Sequence, residues 1–240
     1  MFPIQDTIPS RSFPLINWTL IVINLFVFLH ELSLGPEGIE SFVRTWGLVP
    51  AEFSHPNRPL VWWEYYPFFT NMFLHGGWGH FIGNMWTLYI FGDNVEDRMG
   101  KGGYLIFYLL CGVAASYTHY ALNMDSTIPA LGASGAISGV MGAYMFLFPH
   151  STIIFMVPIF FMPYFFEVSA FFYLGLWFVG QFFSGTVSLL MPTNGAGIAF
   201  WAHIGGFVAG VLLFRLFARP PVHEERRYPA YYRYRNYHSW

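Results

Sequence analysis

Charged residues and cysteine are scarce in this chain of 240 residues. Aspartate, glutamate, lysine and arginine together make up 10% of it, against roughly 25% in an average soluble domain. Hydrophobic residues make up 55% and aromatic residues 22%, which predicts an integral membrane protein. The single cysteine, Cys111, excludes an intrachain disulfide and a metal site built from several cysteines. The formal net charge of −2 gives no sign of nucleic-acid binding.

The N-terminus lacks the pattern of a cleaved signal peptide, because prolines and an aspartate interrupt it and no small-residue cleavage site follows the first apolar run. We expect that run to remain as the first of six membrane spans. The predicted spans cover about residues 15–34, 78–95, 104–122, 134–148, 164–183 and 200–217. Residues 151–163 are too short and too broken by proline to cross, and we interpret them as an interfacial return.

The predicted fold is therefore an all-α membrane protein, a bundle of six transmembrane helices over residues 1–219. Residues 35–67 mix charges with tryptophan and tyrosine, which favours a long first loop of short amphipathic helices lying partly in the membrane. Residues 228–240 alternate tyrosine with arginine, and residues 220–240 are expected to form a flexible cytoplasmic tail.

Basic residues predict the orientation of the six spans. One face would carry Arg11, Arg98, Lys101, Arg215, Arg219, Arg226, Arg227, Arg233 and Arg235, and the other only Arg44 and Arg58. The positive-inside rule then places both termini in the cytoplasm, in what we expect to be the inner membrane of a prokaryotic cell.

One serine lies at the start of an apolar helix built from small residues. Ser134 follows Gly132 and Ala133 and precedes Gly135, and the free N–H groups and positive dipole end of a first helical turn favour developing negative charge there. The position therefore suits a nucleophile. A serine in this place also caps helices or eases their packing, so the interpretation depends on partners elsewhere.

Three further polar residues in the spans lie at the depth of that serine. At 1.5 Å per residue, Ser134 lies about 24 Å from His150 and His203 about 24 Å from Arg219, while His80 and Asn84 lie about 27 and 21 Å from Arg98. All four would lie inside the membrane, near its outer edge. Taken singly, such histidines and asparagines also serve as links between helices.

Glycines predict that the helices of Ser134 and His203 approach closely. Gly135, Gly139 and Gly142 line one helix, and Gly206 with Gly210 lines the other. A neutral histidine within reach of a serine is the base that acyl transfer requires. We identified no carboxylate at the same depth in a span, so the sequence predicts a serine–histidine dyad rather than a triad.

The order of these motifs resembles the rhomboid family of intramembrane serine proteases. The motifs are HGGWGHFIGN at residues 75–84, GASG at 132–135 and AHIGGFVAG at 202–210. The resemblance implies that Ser134 is the nucleophile and His203 the general base, and that His80 and Asn84 donate to the oxyanion together with the backbone N–H of Ser134. It also implies that the fifth span gates entry of transmembrane protein substrates from the lipid bilayer, with no cofactor or metal.

Two positions depart from the family pattern. Glu64 follows Trp63 where many members have arginine, and Ser138 stands where some have an aromatic residue that stacks on the histidine.

Three alternatives stay open. Two are alternative functions: a catalytically inactive relative that binds transmembrane helices, and a transporter. A metal on the histidines at positions 75, 80 and 203 is the alternative site, although no HExxH helix accompanies them. The physiological substrate and the oligomeric state do not follow from the sequence.

Overall fold

Helices account for most of the fold, with one small sheet. The computed structural model describes residues 2–54, 61–190 and 198–220. The helices are α1 (Leu15–Ser33), α2 (Pro36–Trp46), α3 (Pro50–Phe53), α4 (Pro67–Thr70), α5 (Trp78–Met99), α6 (Lys101–Leu122), α7 (Ser134–Leu147), α8 (Ala170–Leu190) and α9 (Phe200–Phe217). The strands are β1 (Phe2–Asp6), β2 (Thr152–Ile159) and β3 (Met162–Ser169).

Four helices in the described part of the chain are long and apolar enough to cross a membrane. They are α1, α6, α8 and α9. Helix α5 is as long as α6, but it carries Asp93, Glu96, Asp97 and Arg98 in its last two turns. Helix α7 is apolar and has only 14 residues. The prediction of a helical membrane protein is thus supported at the level of four candidate spans.

The segment before α8 is a β-hairpin, and here the sequence analysis was wrong. Strand β2 pairs antiparallel with both β1 and β3, so the fold is not all-α and residues 151–163 are not a simple interfacial return. Phe160 and Phe161, which both have positive φ angles, form the turn between β2 and β3. Helix α8 consequently spans 170–190 rather than the predicted 164–183. Strand β2 is rich in β-branched residues, which pack well on a pleated surface.

Helix α7 lies at the centre of the bundle. Every residue from Gly135 to Tyr144 is buried, and the backbone of α7 touches that of α9. A Cβ on Gly206 would collide with the carbonyl of Gly135, and one on Gly210 with the carbonyl of Gly139. The predicted close approach through glycine is confirmed, and it fixes the start of α7 beside the start of α9.

Candidate active site

The loop before α7 holds Ser134 at the start of its helix. Gly132 has a φ of +123°, a conformation that favours glycine, and its N–H donates to the carbonyl of Asn71 at 2.9 Å. Earlier in the loop, Leu48 and Ala130 exchange backbone hydrogen bonds of 2.9 and 2.7 Å. The segment between α1 and α5 therefore fixes the backbone that leads into Ser134.

Ser134 and His203 form a hydrogen-bonded pair. The Oγ of Ser134 lies 2.8 Å from the Nε2 of His203, which belongs to the first turn of α9. The glycine contacts between α7 and α9 bring the two side chains together. An imidazole at this distance can take the hydroxyl proton as Oγ attacks a carbonyl carbon.

The sequence analysis did not predict Gln181, a third side chain hydrogen-bonded in series with His203 and Ser134. Gln181 of α8 places its Oε1 2.7 Å from the Nδ1 of His203. The ring of Trp177, one turn earlier on α8, lies 5.8 Å from the imidazole with an interplanar angle of 34°. The available signal was an amide in the middle of an otherwise apolar span, where a polar group is costly unless it has a partner.

His80 and Asn84 lie against the loop before Ser134. A Cβ on Gly132 would be 2.6 Å from the Nε2 of His80 and 3.6 Å from the amide nitrogen of Asn84. The N–H of Gly76 donates to the Nδ1 of His80 at 3.4 Å, so in a neutral ring the proton is on Nε2, the atom beside Gly132. The amide nitrogen of Asn84 is buried and has no hydrogen-bond partner among the described residues. Both donors can serve an oxygen placed near Ser134.

A carboxylate does lie near this level, which corrects the sequence analysis. Both oxygens of Glu31, near the end of α1, accept from the backbone N–H of His75 at 3.1 and 3.2 Å. The ring of His75 packs 5.3 Å from that of His80. Burial, and after it the interaction with the neighbouring imidazole of His80, lowers the pKa of His75 to about 3, so this imidazole is neutral near pH 7. Glu31 thus orders the backbone before α5, whereas Gln181 takes the third position beside His203.

The two departures from the family pattern acquire a local explanation. The hydroxyl of Ser138 donates to the carbonyl of Ser134 at 2.6 Å, and the aromatic contact to His203 comes from Trp177 instead. Glu64 accepts from the N–H of Val61 at 3.0 Å and so caps its own short 3₁₀ helix.

A small cavity adjoins the serine. Its volume is about 20 Å³, enough for one water molecule, for which at least about 10–15 Å³ is needed. Asn71, Ser116 and His119 line this cavity together with Ser134. Across the residues that the structure describes, no three histidine, cysteine, aspartate or glutamate side chains gather as a metal site would require.

Comparisons with known proteins find one matching family model. A family model for the rhomboid domain matches residues 62–220, more than half of the chain. Rhomboid-like protein 11, chloroplastic, of Arabidopsis thaliana is 32% identical over 132 residues, which are 55% of this chain and 41% of that protein. Rhomboid protease GluP of Bacillus subtilis is 31% identical over 123 residues, 51% of this chain and 22% of that protein. Rhomboid protease GlpG of Salmonella choleraesuis is 22% identical over 144 residues, 60% and 46% of the two chains. The matched part thus spans less than half the length of each of these relatives.

Proposed function

We propose that this chain, which belongs to the rhomboid family, is an intramembrane serine endopeptidase that cleaves a peptide bond in or next to transmembrane helices of other proteins. The family contains serine proteases and also inactive members, so membership alone does not assign the activity. The observation that carries the proposal is the 2.8 Å contact between the Oγ of Ser134 and the Nε2 of His203. An inactive helix-binding protein has no need of that contact.

In the proposed reaction, Ser134 and His203 work as a dyad. As Oγ attacks the scissile carbonyl carbon, its proton passes to Nε2 of His203, and the carbonyl oxygen becomes an oxyanion. When the C–N bond breaks, the imidazolium gives this proton to the leaving amine. Water then attacks the acyl-enzyme with the same imidazole as base, which releases the acid product and restores Ser134.

The oxyanion is proposed to be held by the side chains of His80 and Asn84 and by the backbone N–H of Ser134. Two observations support this: both side chains border Gly132, and Ser134 is the first residue of α7, where N–H groups have no intrahelical partner. Such donors act most strongly where water is excluded.

The proposal includes a placement in the membrane. Helices α5 and α7 would join the four candidate spans as the second and fourth of six, with residues 35–67 partly submerged and both termini cytoplasmic. The functional unit would be residues 1–219. The last twenty residues, which we predict to be a flexible tail, lie outside the described residues. Substrates would be single transmembrane helices that reach the site from the bilayer of a prokaryotic inner membrane.

Substitution of the dyad tests the proposed activity. We expect Ser134→Ala and His203→Ala each to abolish cleavage of single-span helix substrates by purified protein, with unchanged thermal unfolding. The double variant should be no slower than either single one, because residues that act as a unit are not additive. Cleavage by Ser134→Ala at the normal rate would overturn the assignment.

Labelling with a small fluorophosphonate separates a protease from an inactive helix-binding relative. A fluorophosphonate reacts with an activated serine and is too small to need the entry route of a helix. We expect Ser134 to be labelled in the native protein and not in His203→Ala. An unlabelled Ser134 in folded native protein would favour the inactive relative.

A further inference from the structure

We propose that Gln181 positions His203, so that the dyad is competent only while α8 is packed against α9. The inference rests on the proposed protease function and adds a device to it. The helix that is expected to move for substrate entry also holds the catalytic base.

The direction of the hydrogen bonds supports a positioning role. Oε1 of Gln181 lies 2.7 Å from Nδ1 of His203. As an acceptor it requires the proton of the neutral imidazole to be on Nδ1, which leaves the lone pair on Nε2 directed at the hydroxyl of Ser134. The other tautomer would put a proton on Nε2 and prevent it from acting as base. When His203 becomes an imidazolium, the same carbonyl oxygen stays bonded to a now charged donor.

The place of Gln181 within α8 is unusual for a polar residue of that helix. The hydroxyls of Thr186 and Ser188 bond to carbonyls one turn back in α8 itself. Gln181 instead reaches a side chain of α9. A primary amide in an apolar span is costly without a partner, and His203 is the partner that the fold provides.

Trp177 gives α8 a second contact with the imidazole. Its ring lies 5.8 Å from that of His203 and 6.1 Å from that of Phe207, one turn further along α9. Gln181 thus contacts the edge of the histidine and Trp177 its ring. If α8 moves outward, both contacts are lost together.

Helix α8 is the most loosely packed of the four candidate spans. Only 17% of the 18-residue apolar stretch of α8 is buried inside the protein, against 28% to 33% of the corresponding stretches of α1, α6 and α9. Its outward surface carries Phe172, Phe183 and Leu190, which are 64%, 70% and 77% exposed. A helix held by so few contacts can swing away to admit a substrate. It must then return before His203 can act.

The test compares Gln181→Met and Gln181→Glu with the control Thr186→Val on the same helix. Methionine keeps the length of glutamine and removes the acceptor, whereas glutamate keeps an acceptor at the same place. Each variant is assayed for cleavage of a single-span helix and for fluorophosphonate labelling of Ser134, with thermal unfolding as the check on folding. The helix assay requires lateral entry, and the labelling does not.

We expect Gln181→Met to lower kcat for cleavage and the labelling rate by the same factor, about tenfold to a hundredfold, with little change in KM. Gln181→Glu should restore most of the activity. It should also move the rising limb of the pH–rate profile to higher pH, because a carboxylate stabilises the imidazolium. The other titratable groups near His203 are His80 of α5 and His119 of α6, and they are unchanged in both variants.

Two results would overturn the proposal. If Gln181→Met labels and cleaves like the control, the amide only fills space. If Gln181→Met and Gln181→Glu lose the same activity, the acceptor is not what matters. Ser134→Ala, assayed beside them, distinguishes the two levels: an active Ser134→Ala refutes the protease assignment, whereas an inactive one with a normal Gln181→Met refutes only the positioning role.

Discussion

The side chain of Asn84 carries a buried amide nitrogen with no hydrogen-bond partner among the described residues. An unsatisfied buried donor costs about 1–3 kcal/mol, and an acceptor brought by a substrate would remove that cost. The donor borders Gly132, two residues before Ser134. We infer that its partner is the oxyanion formed during the reaction.

Replacement of Asn84 is therefore expected to act on turnover. Asn84→Ala should lower kcat about a hundredfold or more and leave KM nearly unchanged, because the donor is used in the transition state. Asn24→Ala is the matched control, since Asn24 is also a buried helical asparagine but bonds to Leu20 of its own helix. A raised KM with normal kcat in Asn84→Ala would make this residue a substrate-binding group instead.

Asp6 predicts a pH dependence of stability. Burial raises the pKa of this carboxyl from 3.8 to about 7, although the hydroxyl of Tyr144 donates to it. The folded state therefore binds the proton more tightly than the unfolded one. Protonated Asp6 therefore stabilises the folded state. This contribution to the free energy of unfolding is fully present below about pH 4 and is lost as the pH rises through about 7.

Thermal unfolding between pH 4 and 9 measures this effect. The melting temperature of the native protein should fall across the window, and Asp6→Asn should fall less, because asparagine does not ionise. Asp125→Asn, at an exposed position, serves as control and should follow the native curve. Parallel curves for Asp6→Asn and the native protein would contradict the prediction.

The sequence predicted Ser134, His203, His80 and Asn84 as one cluster. The structure pairs Ser134 with His203 and places His80 and Asn84 against Gly132. Common depth on helices of known rise was enough for that prediction. The contact of Gln181 with His203 was not predicted, because its helix was expected to begin six residues too early. In addition, an apolar composition does not show which face of a helix points toward the site. Glu31 was not predicted because its hydrogen-bond partner is a backbone N–H, which a pattern of side chains does not reveal.

At the scale of elements, the contact between α7 and α9 sets the geometry of the dyad. A Cβ on Gly206 would collide with the carbonyl of Gly135, which cannot move without shifting α7. Gly206→Ala should therefore destabilise the fold by about 1–3 kcal/mol through overpacking. It should also slow fluorophosphonate labelling of Ser134 as the two helices separate.

Gly83→Ala provides the control for that substitution. Gly83 also lies within a helix, but a Cβ there would have no atom within 4 Å. Alanine is the better helix former by about 0.5–1 kcal/mol, so Gly83→Ala should leave the melting temperature equal or raise it. Equal melting temperatures for the two variants would mean that the backbone contact between α7 and α9 does not matter for stability.

Helix α8 carries two kinds of aromatic residue, one kind facing outward and the other contacting the site. If α8 is the gate, smaller residues at its outward-facing aromatic positions should open it and raise activity. Phe172 is 64% exposed, and Phe172→Ala should still speed helix cleavage several-fold without changing small-probe labelling. Trp177 contacts the imidazole of His203, so Trp177→Ala should slow both assays. Faster labelling in Trp177→Ala would contradict this distinction.

The sequence predicted the bounds of three of the four candidate spans closely. Helices α1, α6 and α9 agree with the predicted spans to within about three residues. The hairpin of β2 and β3 was missed because residues 151–163 were considered only as a possible crossing helix, and residues 164–169 were assigned to the fifth span. Its stability depends on pairing with β1, more than 140 residues away, and such long-range pairing leaves little trace in a local pattern.

At the scale of the whole molecule, the sheet connects α5 to α8 at the end opposite the site. Strand β1 binds α5, where the indole N–H of Trp86 donates to the carbonyl of Pro3 at 2.7 Å. Strand β2 contacts α8, where the rings of Phe155 and Tyr173 lie 5.1 Å apart. An opening between α5 and α8 is therefore expected at the level of Ser134, where the sheet does not tie them.

Cross-linking across that opening tests lateral entry. Ile82 of α5 and Phe183 of α8 lie at the depth of the dyad and are 55% and 70% exposed. Cys111 is buried, so a flexible bismaleimide should react with Ile82→Cys and Phe183→Cys alone. The cross-linked protein should lose cleavage of single-span helices about tenfold or more and keep normal fluorophosphonate labelling, because the small probe needs no gap between helices. Each single-cysteine variant treated in the same way is the control. If the cross-linked enzyme cleaved helices as fast as these controls, substrates would have to reach Ser134 by a path other than the gap between α5 and α8.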